Sequence, residues 1–218
     1  HGGGPRIKRE LDKSNIQTKF IRGLRVTNKS IINIVESVLI DFNEDIVSSL
    51  EKKNSRALSI NTKKNNIITV VPESKELGFV GIPSKINIEI VKNAIKKNII
   101  PIISPLGLGV DNKTYNINGD TAAGAIAKSL KSRRLLLMTN VRGVLNNEKK
   151  LIEEISSSEI LDMLDKEIIT EGMIPKINTC LDAINNGVAA VGIIDGREKH
   201  SVLFEIFSDK GSGTLIRK

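Results

Sequence analysis

The chain has 218 residues, 39% of them hydrophobic and 27% charged, which is a globular rather than a disordered balance. One cysteine, Cys180, and two histidines exclude an intrachain disulfide and a Cys/His metal cluster. The formal charge is +8, yet the lysines are scattered and aromatics are only 3%, too few to stack bases, so nucleic-acid binding is a weak reading. A positive field would equally gather small anionic substrates.

The run His1-Gly2-Gly3-Gly4-Pro5 comes first. Three glycines let backbone N–H groups converge on an anion, and Pro5 suits the first turn of a helix carrying Ile7 and Leu11 on its inner face. Gly23-Leu24-Arg25-Val26-Thr27 follows, with Arg25 just before a helix start, where a fixed guanidinium could clamp a carboxylate. Thr27 to Ser30 opens that helix, whose inner side carries Ile31, Ile34, Val35, Val38 and Leu39. Ala57–Ile60 and Ile67–Val71 read as strands, and Glu89–Lys97 as a helix. Ile99–Ser104 is an apolar strand ending in the glycine-rich Pro105–Gly109.

Tyr115-Asn116-Ile117-Asn118-Gly119-Asp120 leads into a helix over Thr121–Leu130 whose first turn is stripped of bulk, which allows a ligand or another backbone to approach closely. Asp120 reads either as a helix cap or as a site carboxylate. Arg134–Thr139 is a strand ending in Asn140-Val141-Arg142-Gly143. Ser156 to Glu159 has the form of a capping box. Pro175–Asn186 is a helix stopped by Gly187, and Lys176 lies in its first turn. A cation there opposes the helix dipole at a cost of roughly 0.3–1 kcal/mol, unless both face an anion. Ala189–Ile194 is a third such strand, ending in Asp195-Gly196. The alternation predicts an open, mainly parallel α/β sheet in three layers, one domain with two lobes, and chemistry beyond the carboxyl ends of the strands. No run reaches the length of a membrane span, and no signal or transit segment is read.

Backbone donors, cations and a carboxylate are the parts phosphoryl transfer requires, and neither a P-loop nor a protein-kinase signature is found. The motifs HGGGP, GLRVT, TYNINGDTAAGAIA and GMIPK, in this order from His1 to Ile216, resemble the acetylglutamate kinases of the amino-acid kinase family. The resemblance implies a three-layer αβα sandwich, the amino-acid kinase fold, with a substrate lobe over about residues 1–115 and a nucleotide lobe over about 116–218. It implies transfer of the ATP γ-phosphoryl group, with Mg, to the side-chain carboxylate of N-acetyl-L-glutamate in arginine biosynthesis. Carried over by position, Gly3, Gly4, Arg25 and Asn116 would bind substrate, and Lys176 would neutralise the moving phosphoryl group. Asp120 would orient the catalytic lysines. Asn140, Val141, Arg142, Gly143, Val144 and Leu145, with Ile168, Ile169 and Thr170, would bind nucleotide. No protein metal ligand is expected.

The stretch around Glu205 and Gly211 is similar to the arginine-inhibited branch, which implies inhibition of the complete protein by arginine. A homo-oligomer is implied, a dimer or, given an N-terminal helix, a hexamer. A regulator of the PII type is implied if the source is cyanobacterial or plastid, and the location would be cytoplasm or chloroplast stroma. The family's first strand, with a catalytic lysine and a Gly-Gly pair, is expected before His1. Three departures stand out: Asn140 for the usual Asp, Gly119 for Ala, and a Lys/Asn-rich loop over 59–67 for a Gly-Lys-Asp-Gly segment. A related amino-acid kinase, such as glutamate 5-kinase, explains the fold but not the GLRVT and GMIPK pair. A non-catalytic arginine-binding subunit is the alternative of another class.

Overall fold

Gly3 caps helix α1 (Gly4–Lys13), and Pro5 occupies its first turn, where a missing N–H costs nothing. Ile7 and Leu11, one turn apart, are its buried residues. The chain then makes a hairpin of β1 (Phe20–Ile21) and β2 (Leu24–Arg25). Arg22 and Gly23, with φ of 50° and 78°, form its two-residue loop, the left-handed pair that a tight hairpin requires. Helix α2 (Lys29–Glu51) is capped by Asn28, whose side chain accepts the Ile31 N–H. Ile31, Ile32, Val35 and Leu39 pack with Ile7, Leu11 and Leu106 into one core.

This computed structural model describes residues 1–169, 173–208 and 211–218. The following elements are β3 (Ala57–Ile60), β4 (Ile68–Pro72), β5 (Gly81–Ile86), α3 (Glu89–Lys96), β6 (Ile100–Ile103), β7 (Leu106–Gly109) and β8 (Thr114–Asn116). Strands β3 and β6 pair in parallel. A four-stranded sheet runs in the order β5-β4-β7-β8, with β4–β7 parallel and the other two ladders antiparallel. Next come α4 (Gly119–Leu130), β9 (Leu135–Thr139), β10 (Glu154–Ser156), α5 (Ser157–Asp165), α6 (Ile174–Asn185), β11 (Ala190–Asp195), α7 (Ser201–Phe207) and β12 (Gly213–Arg217). Their sheet runs β10-β12-β11-β9, antiparallel only between β11 and β12. The chain divides into two compact units, His1–Ala122 and Ala123–Lys218, the division falling within α4.

Each unit has its own core. In the second, β11 is buried along its full length, and Val191, Ile193, Ile177, Ile160 and Ile216 are the centre of the cluster. In strand β6, Ile100 is exposed and the other three residues are half-buried. The glycine-rich segment after it forms strand β7. A Cβ on Gly107 would lie 2.5 Å from Val70 Cγ1 and 3.1 Å from Ile117 Cδ1, so its glycine serves strand packing. Among the described residues no helix is long and apolar enough to cross a membrane.

Candidate active site

In the first unit the glycine run and the Asn-rich turn come together. A cavity of about 200 Å³ is lined by Gly2, Gly3, Gly4, Arg25, Asn116 and Asn118, among others. All four residues expected to bind substrate thus face one space. Gly3 must lack a side chain, since a Cβ there would lie 2.7 Å from Leu39 Cδ2, in the core beneath α1. Gly4 opens α1, so the first N–H groups of that helix lie beside the cavity.

Arg25 is nearly buried, 9% exposed, and burial lowers its pKa from the ordinary value. Its guanidinium donates to Thr18 Oγ1 at 3.1 Å and lies 4.7 Å above the Phe20 ring. The segment that carries it is pinned by backbone bonds. Thr27 donates to the Leu77 carbonyl at 2.9 Å and accepts from the Phe79 N–H at 2.7 Å. Asn116 reaches the cavity because its N–H donates to the Phe79 carbonyl at 2.9 Å. A single turn, residues 77–79, therefore locates both.

The side chain that caps α4 is Asn118, which accepts the N–H groups of Asp120 and Thr121 at 2.9 and 3.1 Å. Asp120 is thereby relieved of capping and sits half-buried in the first turn. The small residues that follow have a packing reason: a Cβ on Gly124 would lie 2.8 Å from Thr179 Cγ2 on α6, and Lys128 pairs with Asp182 between the same two helices. Gly119 is less constrained, with its nearest neighbours 3.8 and 3.9 Å from an added Cβ.

In the second unit, β9 and β11 run in parallel and end side by side, with Thr139 opposite Asp195. Asn140, Val141, Arg142 and Leu145 are exposed beyond that edge, while Gly143 and Val144 are buried. Gly143 has φ of 149°, and a Cβ on it would lie 2.4 Å from Thr214 Oγ1. Thr214 accepts the Val144 N–H at 2.8 Å and donates to the Ile152 carbonyl at 2.7 Å, so it ties this loop to β12. Ile168 and Ile169 pack on the core of this unit, which leaves their backbone as the part able to meet a ligand. Thr170 lies outside the described residues, as does Gly172 of the GMIPK motif. Lys176 stands, half-buried, in the first turn of α6, as its sequence position predicts.

Sequence reasoning passed over Thr18 and Phe20, which nothing in their local pattern distinguishes, and met Thr214 only as the end of the run Gly211-Ser212-Gly213-Thr214. It also passed over the pair Asp195–Arg197. Arg197 grips the Asp195 carboxylate through Nε at 2.9 Å and Nη2 at 2.6 Å. Those bonds, the Arg197 N–H and the nearby Arg142 charge outweigh burial and hold the Asp195 pKa at about 2. The Asp-x-Arg order at the end of an apolar strand was the available signal. At the other side of β11, Glu205 is buried, accepts the Ser212 N–H at 2.9 Å, and lies 2.8 Å from the position of a Cβ on Gly211.

Three comparisons bear on this geometry. The model of the amino acid kinase family matches residues 1–195. The acetylglutamate kinase of Pelagibacter ubique is 58% identical over all 218 residues, which span 76% of that protein, and that of Clostridioides difficile is 45% identical over the whole chain and 78% of its own. The crystal structure of smu.665 from Streptococcus mutans superposes on the whole chain and 84% of its own, with a TM-score of 0.84 and 31% identity. With a glycine-lined cavity, the α/β architecture and identity of this extent, the chain belongs to the amino acid kinase family, in its acetylglutamate kinase branch.

Proposed function

We infer that this chain is an acetylglutamate kinase, which transfers the γ-phosphoryl group of ATP to the side-chain carboxylate of N-acetyl-L-glutamate. The observation that carries the reading is 58% identity to such an enzyme across every residue of the chain. A carboxylate oxygen attacks the γ-phosphorus, the bond from phosphorus to the β–γ bridging oxygen breaks, and ADP leaves with the acyl phosphate.

The first unit is proposed to hold N-acetylglutamate. Arg25 would clamp its α-carboxylate, Asn116 would hydrogen-bond to it, and the N–H groups of Gly3 and Gly4 would donate to the bound substrate. Their common cavity supports this assignment. The second unit is proposed to hold ATP along the loop 140–145 and the segment 168–170. Lys176 would neutralise the phosphoryl oxygens, supported by its place at a positive helix end, and Asp120 would orient lysines. Mg²⁺ would arrive with the nucleotide, whose phosphate oxygens suit it. Among the described residues no group of three or more His, Cys, Asp or Glu side chains is placed to hold a metal.

Arginine inhibition at Glu205 and Gly211, and assembly into dimers or hexamers, are part of the same proposal. The adjacency of those two residues supports the first. A PII-type regulator and a cytoplasmic or stromal setting follow only from the resemblance. The test is ADP release with ATP and N-acetylglutamate in the whole enzyme. Lys176→Ala should lower kcat by about 10²–10³-fold. Undiminished turnover in that variant would remove its role, and no turnover by the wild type would remove the function.

A further inference from the structure

His1 precedes the glycine cradle, and the residue that holds its ring lies far away in sequence, on α2. Asn43 is fully buried. Its Oδ1 accepts the Ser59 hydroxyl at 2.7 Å, and its Nδ2 donates to the Ile102 carbonyl at 3.0 Å. A carbonyl can only accept, so this bond fixes which end of the amide is nitrogen without reference to the histidine. The second hydrogen of Nδ2 is then directed at His1 Nε2, 3.1 Å away. A ring nitrogen that accepts a hydrogen bond carries no proton. The imidazole is therefore neutral with its proton on Nδ1, the atom that faces the Gly2 carbonyl at 3.4 Å.

The consequence reaches the cavity through covalent geometry. The Gly2–Gly3 peptide is planar and trans, so its carbonyl and N–H point in opposite directions. A carbonyl of Gly2 directed at the imidazole sets the direction of the Gly3 N–H, and three glycines in a row offer no side chain to do so. Ser59 Oγ itself accepts from the Asn61 amide at 3.0 Å, and Glu44, 2.9 Å away, shares its single proton with Asn43. Lys64, which pairs with Glu44 at 3.1 Å, is the remaining charged group of the network.

We propose that Asn43 is a positioning residue: it selects the Nδ1–H tautomer of His1 and thereby aims the backbone N–H of the glycine cradle at the substrate. Its kinetic consequence rests on the reading of the cavity as the N-acetylglutamate site. The loop over 59–67, where the sequence departs from its family, is the far anchor of this network. Asn61 closes it by accepting the Lys63 and Lys64 N–H groups, both at 2.9 Å.

The direct test is ¹⁵N spectroscopy of the histidine-labelled whole enzyme, with the His1 ring assigned as the signal lost in His1→Phe. The wild-type His1 ring should show a protonated Nδ1 and a bare Nε2. A ring protonated on Nε2 overturns the proposal, whatever the enzyme's activity. In Asn43→Asp the donor becomes an acceptor, and the proton should move to Nε2. Kinetically, Asn43→Asp should raise KM for N-acetylglutamate about tenfold, with KM for ATP unchanged. A purely structural loss lowers the amount of active enzyme and leaves both KM values alone. Because a buried substitution can prevent folding, His1→Phe supplies the second reading. A phenyl ring retains the edge contact with Phe42, centroids 5.1 Å apart, without the hydrogen bonds. It should show the same selective rise, and an unchanged KM refutes the positioning role. A wild type that does not turn over N-acetylglutamate defeats the functional reading and leaves the tautomer result to decide the rest.

Discussion

The substitution Arg25→Lys separates a carboxylate clamp from a merely positive site. Arg25 is 9% exposed, so its bonds to a ligand are poorly screened by water. Thr18 and Phe20 hold the guanidinium plane before substrate arrives, which limits the ordering cost of binding. A lysine keeps the charge but loses the planar fork, the Thr18 geometry and the stacking on Phe20. A hydrogen bond to a charged group contributes about 1.5–3 kcal/mol, equivalent to roughly 10–150-fold in binding. The expected result is a fall of that order in kcat/KM for N-acetylglutamate at saturating ATP, with KM for ATP unchanged. The assay is coupled ADP release. N-acetyl-4-aminobutyrate, which lacks the α-carboxylate, completes a double-mutant cycle. It should be a poor substrate of the wild type, and Arg25→Lys should impair it little further. If the two losses simply add, Arg25 does not bind that carboxylate, and the assignment of the cavity's polar end is wrong.

Other outcomes follow from the packing. Gly119→Ala should stabilise the protein by about 0.4–1 kcal/mol in urea denaturation, because an added Cβ meets nothing nearer than 3.8 Å. Destabilisation would show that the turn cannot hold a side chain. Gly124→Leu should destabilise by about 1–3 kcal/mol, since Thr179 cannot swing aside: its hydroxyl donates to the Pro175 carbonyl at 3.1 Å, which fixes its rotamer. The Asp195 carboxyl titrates near 2 when folded and near the ordinary value of 3.8 when unfolded. Its lowered pKa contributes stability that is complete above about pH 4 and disappears as pH falls from there through about 2. Asp195→Asn should therefore be less stable than wild type at pH 6, with the gap closing towards pH 2. Parallel curves of urea midpoint against pH would refute the pairing.

Much of the fold can be read from the sequence where one local rule suffices. The capping box at Ser156 and Glu159 forms, with both hydrogen bonds made. Helix α6 ends before Gly187, whose φ is 100°. Strand β3 spans Ala57–Ile60, as its apolar run predicts. Local rules fail where the reason for a residue is a distant neighbour. Strand β5 contains Gly81 and Pro83, which read as breakers, yet a Cβ on Gly81 would press within 3.0 Å of both Val70 and Tyr115. Strand β12 holds Gly213 because an added Cβ would lie 2.0 Å from the Ile193 carbonyl. Both glycines are dictated by the strand alongside, which no window of the sequence contains.

The candidate site divides in the same way. Its glycines, Arg25 and Asn116 stand in motifs legible in the sequence, and their roles follow from the family resemblance that those motifs carry together. What orients them is not marked. Thr18, Phe20, Asn43 and Ser59 are ordinary residues in ordinary patterns, and Asn43 stands among the apolar positions of α2 as a plain irregularity. A buried amide in a helix interior costs free energy unless every one of its groups is paired. Here all are paired, to Ile102, Ser59 and His1, across 59, 16 and 42 positions of sequence. A polar residue on the inner face of a long amphipathic helix is therefore itself a signal. It implies partners elsewhere in the chain, and in this protein those partners lead back to the first residue of the glycine run.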